Sequence, residues 1–344
     1  MSEYYSCPLI NSMYINFQGK VDNDKSITFC CEPIEDRPSI SFSEDAATTL
    51  RDFIDARLRL INEGYTDETI YSHGCRKCVQ YQKKAWNTSH QIRYVNLSMY
   101  PSPCQSKCFY CNVHNERQAI NDPLVKERYE QLFDILNYAK NCGLIAPNAV
   151  WQISCGEIAI HPYKDRIFNL IKGQRAAFYT NCFIYDEQIA ENLRSNPKSA
   201  INLSIDAGTP KTWHKIKGVD NFEDVMMNLT QYYVAGNQPG QITLKYIVFP
   251  GINDSEDDYI CLMEIMKILK VKHLTISRDS RCKYTQSEDD KQALLNAAAR
   301  LLYKCHTNQI SVDMFAYSKE EQQITVNIAN HIEKEMKLCN QKSV

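Results

Sequence analysis

From about residue 91 onward, short apolar runs alternate with longer segments whose apolar residues recur every three or four positions. The runs "IRYVNLSMY", "NAVWQISC", "AAFYTN", "SAINLSID", "QITLKYIVF" and "KHLTISRD" have the length and the β-branched and aromatic content of strands. Between them, "DPLVKERYEQLFDILNYAKNC", "YDEQIAENLRS", "NFEDVMMNLTQYYVAG" and "SEDDYICLMEIMKILK" carry the helical period. Strand, loop and helix repeated in this way predict a parallel sheet covered by helices, either a barrel or an open doubly wound sheet. A helix over residues 287–307, a short strand "QISVDMF" and a helix from about residue 319 follow the sixth run.

The first 90 residues are patterned differently. "SMYINFQGKV" and "SITFCCEP" predict two short strands joined by a turn at Gly19, Asp22 and Asn23. "SEDAATTLRDFIDARLRLINEG" predicts a helix capped by Ser43 and stopped at Gly64, with Leu50, Ile54, Leu58 and Ile61 on its buried stripe.

At 344 residues the chain can bury one large core or two modest ones, so cysteine staples are not needed for stability. It nevertheless has 15 cysteines. The N-terminus "MSEYYSCPLI" lacks the basic flank and apolar segment of a secretory signal, which predicts a cytoplasmic protein with reduced thiols. There, clustered cysteines hold metal more often than they form disulfides. No apolar stretch approaches the roughly 20 residues of a membrane span. Net charge is −2 without a basic tract, so nucleic acid is not an expected partner.

Cys104, Cys108 and Cys111 stand in a Cys-x3-Cys-x2-Cys spacing directly after the first apolar run. In a parallel barrel, function gathers on the loops at the C-terminal strand ends, and this is the first such loop. Two bound species fit its thiols. Zinc would take them with His114 as a fourth ligand, giving a closed site in a binding protein that need not be an enzyme. A four-iron cluster would take three thiolates and leave one iron open to a small chelating ligand.

"CQSKCFYC" resembles the signature of the radical S-adenosylmethionine (radical SAM) enzymes. The resemblance implies a partial (β/α)6 TIM-type barrel over residues 91–344. It also implies a [4Fe-4S] cluster on the three cysteines, with S-adenosylmethionine chelated to the open iron. Reductive cleavage would release a 5′-deoxyadenosyl radical that abstracts hydrogen from a substrate. An external donor such as flavodoxin or ferredoxin would supply the electron. Later segments are similar to the family's strand ends in the expected order. "WQISCGEIAIHP" resembles its Gly-Gly-Glu element, with Cys155 replacing the first glycine and Gly156 and Glu157 kept for the methionine amino group. "FYTNC" matches a Thr-Asn-Gly end through Asn181, with Cys182 in place of glycine. "NLSIDAGTPKTWHKIKG" brings Ser204 as a cofactor contact and Asp206 as a cavity residue, and "KYIVFPGIND" brings Pro250 and Gly251 near the adenine. Tyr110 precedes the third cysteine.

Cys7, Cys30 or Cys31, Cys75 and Cys78 form a second potential ligand set, which chemistry alone leaves open between zinc and iron-sulfur. A cysteine-rich hairpin and helix closing with Cys-x2-Cys resembles the twitch or SPASM-type auxiliary module of the same family, implying a second [4Fe-4S] cluster in a small α+β domain over residues 1–90. That module usually follows the barrel; here it precedes it. Lys245 and Arg278 point by strand position toward the cavity and are candidates for a substrate or cofactor carboxylate. Cys282 is a candidate hydrogen donor to a substrate radical, and His161 and His214 are candidate proton carriers. The expected substrate is a peptide or protein, as for a maturase, oxidation, cross-link or epimerisation; a sugar or cyclitol is the alternative.

Overall fold

All six runs read as strands after residue 91 are strands, in a mixed α/β fold whose strands there are parallel. The computed structural model describes residues 2–19, 27–30, 38–66, 75, 78, 80–99, 102–111, 120–154, 156–279 and 287–342. Cys31, His114, Cys155 and Cys282 lie outside the described residues. Packing divides the chain into two units, residues 1–104 with 115–179 and residues 105–114 with 180–344.

The first unit contains β1 (Glu3–Ser6), α1 (Pro8–Asn11), β2 (Tyr14–Gly19), β3 (Ile27–Thr28), β4 (Ser39–Ile40), α2 (Ala46–Glu63) and β5 (Gln82–Ala85). It continues through β6 (Ile92–Met99), α3 (Pro123–Asn141), β7 (Ile145–Ile153), α4 (Lys164–Leu170) and β8 (Arg175–Tyr179). Its main sheet runs β8-β7-β6-β2-β3-β4. The expected N-terminal hairpin is present, β2 antiparallel to β3, but β2 also lies parallel to β6 from Tyr14 opposite Tyr94 to Gly19 opposite Met99. β1 and β5 pair separately and antiparallel.

The α2 stripe departs from expectation. Leu58 is 45% exposed, and the buried positions are Thr49, Leu50, Phe53, Arg57 and Ile61. Arg57 reaches inward to three carbonyls: its Nε bonds Ile10 O at 2.6 Å and its Nη2 bonds Asn11 O at 3.2 Å and Ser89 O at 2.9 Å. The cap is Asp45, whose Oδ1 accepts from Thr48 N at 2.8 Å, while Ser43 Oγ donates to Asp52 at 2.6 Å.

The second unit contains α5 (Glu187–Ser195), β9 (Ala200–Ser204), α6 (Pro210–Lys217), α7 (Phe222–Gly236), β10 (Ile242–Val248) and α8 (Glu256–Ile268). β11 (His273–Arg278), α9 (Glu288–Thr307), β12 (Ser311–Phe315) and α10 (Lys319–Lys342) complete it. Its strands run β12-β11-β10-β9, all parallel. The side-chain period of two separates the faces. Leu203, Leu244, Tyr246, Leu274 and Ile276 are buried on one, while Asn202, Ser204, Thr243, Lys245 and Thr275 are half-buried on the other. Among the described residues, no helix is long and apolar enough to cross a membrane.

Candidate functional site

In the first unit, the strand ends are locked to the segment that enters the cysteine loop. Ser154 N bonds Leu97 O at 2.9 Å and Glu157 N bonds Pro103 O at 2.8 Å. Gly156 lies between them with φ +60°, and a Cβ there would stand 2.5 Å from Pro103 O and 2.7 Å from Ser102 Cβ. Both the backbone conformation and the close approach require glycine. Glu157 is buried, and its Oε1 accepts from Ala159 N at 3.1 Å to cap the 3-10 turn Ile158–Ile160.

His161 serves the same entry segment. Its Nδ1 accepts from Tyr163 N at 3.2 Å, so the neutral ring carries its proton on Nε2 and donates to Tyr129 OH at 2.9 Å. Tyr129 OH in turn reaches Ser102 Oγ at 3.2 Å. Burial pushes the imidazole down to about 4, which keeps it neutral and makes it a fixed tether at physiological pH.

The second unit holds residues 105–111 of the loop. Lys107 N bonds Lys217 O at 2.9 Å and Phe109 N bonds Ile216 O at 3.2 Å, an edge pairing with the last turn of α6. Phe109 and Tyr110 pack on Phe249 with ring centroids 4.8 and 5.4 Å away. Ser106 Oγ lies 2.8 Å from Cys108 Sγ, and Cys111 N bonds Cys108 O at 3.1 Å.

Asp206 was expected to face a cavity, and the structure corrects this: the residue is 0% exposed. Its left-handed backbone (φ +51°) turns the carboxylate into the protein, where Oδ1 accepts from Ile247 N at 2.7 Å. Oδ2 accepts from Tyr110 OH and from Lys217 Nζ, each at 2.6 Å. Burial, then Asp206 and Cys108, raise the Tyr110 phenol well above its ordinary value, so it stays a donor. Lys217 was missed by sequence reasoning, although its spacing from Trp213 and Ile216 places it on the buried stripe of a helix ending at Gly218.

Asn181 donates to Gln105 Oε1 at 3.4 Å and accepts from Phe183 N at 2.9 Å, so this strand-end residue does meet the cysteine loop. Ser204 offers its carbonyl to Lys217 Nζ at 2.7 Å. Pro250 and Gly251 form an exposed turn in which Gly251, with φ +76°, donates to Asp254 Oδ1 at 2.7 Å. Lys245 stands on the polar sheet face with Nζ 4.9 Å from the Phe315 ring centroid, and burial lowers its pKa. Arg278 instead turns to Glu321 of α10 at 2.8 Å, a buried ion pair. His214 is a surface residue bonded to Asp220 at 2.6 Å. Cys142 and Cys261 are exposed and Cys305 is buried.

The N-terminal cysteines converge in the first unit. Cys7, Cys30, Cys75 and Cys78 line one cavity of about 240 Å³, together with Leu9, Phe29 and Tyr81. Cys7 caps α1, its Sγ 3.4 Å from Ile10 N, and Cys78 N bonds Cys75 O at 2.9 Å. Burial, with Cys7 and Cys78 nearby, pushes the Cys75 thiol up to about 11.

The residues present fit iron-sulfur groups at both places. Among the described residues no three His, Cys, Asp or Glu side chains close on a single ion. A cuboidal cluster, however, spreads its thiolates over separate corners, and among the described residues the cavity offers four thiols and no carboxylate. On the loop, Gln105 Nε2 is a buried donor with no acceptor among the described residues, suited to the sulfur of such a group.

Residues 102–261 match the Radical SAM superfamily. The chain is 26% identical over 195 residues to a GTP 3′,8-cyclase of Microcystis aeruginosa, covering 54% of this chain and 56% of that protein. With a GTP 3′,8-cyclase of Geobacter sulfurreducens it shares 27% identity over 168 residues, 48% of this chain and 49% of that one. The chain thus spans about half the length of the curated relatives it matches. Streptococcus suis SuiB bound to precursor peptide SuiA has a similar fold, with TM-score 0.50 and 14% identity over 81% of this chain and 56% of SuiB. With a matching fold and the three-cysteine spacing inside the matched segment, residues 102–261 are a domain of the radical SAM superfamily.

Proposed function

We propose that this protein cleaves S-adenosylmethionine reductively and abstracts hydrogen from a peptide or protein substrate. The observation that carries the reading is the Cys104, Cys108 and Cys111 loop at the end of the first strand of a parallel α/β unit, within the matched segment. When bound, a [4Fe-4S] cluster with S-adenosylmethionine on its open iron supplies a 5′-deoxyadenosyl radical. The chain's own residues do the rest. The three thiols hold the cluster, and Gly156, Asn181 and Ser204 are candidate cofactor contacts. Lys245 offers an ammonium cation on the polar sheet face to a carboxylate of substrate or cofactor.

In the same reading, Cys7, Cys30, Cys75 and Cys78 hold a second cluster, making residues 1–90 a twitch-like auxiliary module. Four protein ligands would close that cluster and make it an electron conduit rather than a substrate site. The peptide substrate is supported by the fold shared with SuiB, whose structure holds a precursor peptide. A purine nucleotide is the second reading, favoured by the relatives named GTP 3′,8-cyclase.

The test is 5′-deoxyadenosine production by the anaerobically reconstituted, reduced protein, compared with the Cys104→Ala/Cys108→Ala/Cys111→Ala variant. Product from the native chain and none from the variant is expected. A fully iron-loaded native protein that releases none in the presence of candidate peptides and GTP would overturn the reading. Deuterium carried into 5′-deoxyadenosine from labelled GTP, and not from labelled peptide, would replace the first substrate class with the second.

A further inference from the structure

Lys217 sits in the last turn of α6 and is 4% exposed. A buried ammonium is costly unless its protons are all used, and here all three are: Tyr110 OH at 2.8 Å, Ser204 O at 2.7 Å and Asp206 Oδ2 at 2.6 Å. Tyr110 closes the triangle by donating to the same Oδ2. The partners are themselves fixed. Asn253 Nδ2 bonds Asp206 O and Ile247 O, each at 2.8 Å, and Ile247 N bonds Asp206 Oδ1. Ends of β9, β10 and α6 therefore converge on a single side chain of the cysteine loop.

That side chain lies two residues after Cys108 and directly before Cys111. The main chain holds the same segment, because Lys217 and Ile216 carbonyls accept from Lys107 and Phe109. Contact there is close enough that a Cβ on Gly218 would stand 2.9 Å from Lys107 Cβ. Stability alone is a weak reason for such a network, since a buried ion pair is often replaceable by apolar groups at no loss. What an apolar cluster would not supply is direction. Hydrogen bonds fix the Tyr110 ring and the loop register, whereas packing on Phe249 would allow several.

We propose that Lys217 is a positioning residue: with Asp206 it anchors Tyr110 and holds residues 105–111 in one register against α6, so that Cys108 and Cys111 are arrayed before any cluster binds. What the loop then holds rests on the function proposed above; the positioning does not.

The test uses Lys217→Met and Tyr110→Phe in the full chain. Tyr110→Phe leaves the Lys217–Asp206 pair in place and cuts only its tie to the loop, so it decides the question should Lys217→Met fail to fold. Amide hydrogen exchange is measured on metal-free protein. In both variants Lys107 and Phe109 are expected to exchange about tenfold faster, while Tyr246 in β10 is unchanged. After reconstitution in a Cys75→Ser/Cys78→Ser background, a chelator should strip the remaining iron about tenfold faster from the variants, the same local opening read at the metal. Unchanged exchange at Lys107 and Phe109 in Tyr110→Phe, or a rise shared equally by Tyr246, would overturn the proposal. Native protein that shows the loop protection and releases no 5′-deoxyadenosine would instead count against the cluster reading alone.

Discussion

The two cysteine sets are assembled by opposite means. Cys104, Cys108 and Cys111 come from eight consecutive residues, whereas Cys7, Cys30, Cys75 and Cys78 arrive from three separate stretches of chain to line one cavity. Bringing distant segments together costs chain entropy that a short loop never meets, so the first set is gathered by spacing and the second by folding. The surroundings differ accordingly. The loop is oriented by a buried polar network at Asp206 and Lys217, while the N-terminal cavity is bounded by apolar side chains such as Leu9 and Phe29. A local motif needs the fold only for direction; a dispersed one needs it for existence.

The largest contrast should follow removal of thiols. Loss of Cys104, Cys108 and Cys111 together should abolish 5′-deoxyadenosine formation, with iron still bound in the N-terminal cavity. The Cys75→Ser/Cys78→Ser variant should lower iron from about eight to about four atoms per chain and leave the loop cluster visible by electron paramagnetic resonance. Iron that stays near eight in this variant would show that Cys75 and Cys78 do not hold a cluster.

A smaller effect separates the entry segment from the rest by pH. Burial holds His161 near 4 in the folded protein, below the ordinary imidazole value of 6.5. Between those values the unfolded chain binds a proton that the native protein lacks, so stability should fall as pH drops from about 6.5 to about 4. The loss should reach roughly 3 kcal/mol. Urea denaturation of metal-free protein across that window should show the slope, and His161→Gln should flatten it. The smallest effect concerns a cysteine outside both sets. Cys182 occupies a left-handed position, φ +57°, yet is fully buried. Glycine there would relieve strain and lose packing, so Cys182→Gly should change stability by less than about 1 kcal/mol in thermal unfolding.

The strands after residue 91 were legible because buried apolar residues alternate with polar ones along them, as Leu203 does with Asn202 and Leu244 with Lys245. β5 was not: "QKKA" is exposed at all four positions and presents no alternation to read. α1, four residues long, is below the length at which helical periodicity can be recognised. The parallel pairing of β2 with β6 joins residues 80 positions apart, and no local pattern encodes such a partner. At the site, spacing revealed the thiols, and strand position placed Asn181 beside the loop. It misdirected Asp206, because Ser-x-Asp puts both residues on one strand face only while the backbone stays extended, and β9 ends at Ser204. Arg57 and Lys217 share a different disguise: each occupies an apolar-stripe position and is buried for its hydrogen bonds.

The edge pairing of the cysteine loop with α6 also bears on insertions and deletions. Because alternate amides, those of Lys107 and Phe109, face the carbonyls of Lys217 and Ile216, one residue added between Lys107 and Tyr110 would bring the wrong amides to the edge and turn Tyr110 away from its anchor. The number of residues from Lys107 to Tyr110 is therefore fixed by the seat on which the loop rests. Loop length is a quantity on which this chain should tolerate far less change than on the chemical identity of the residues that fill it.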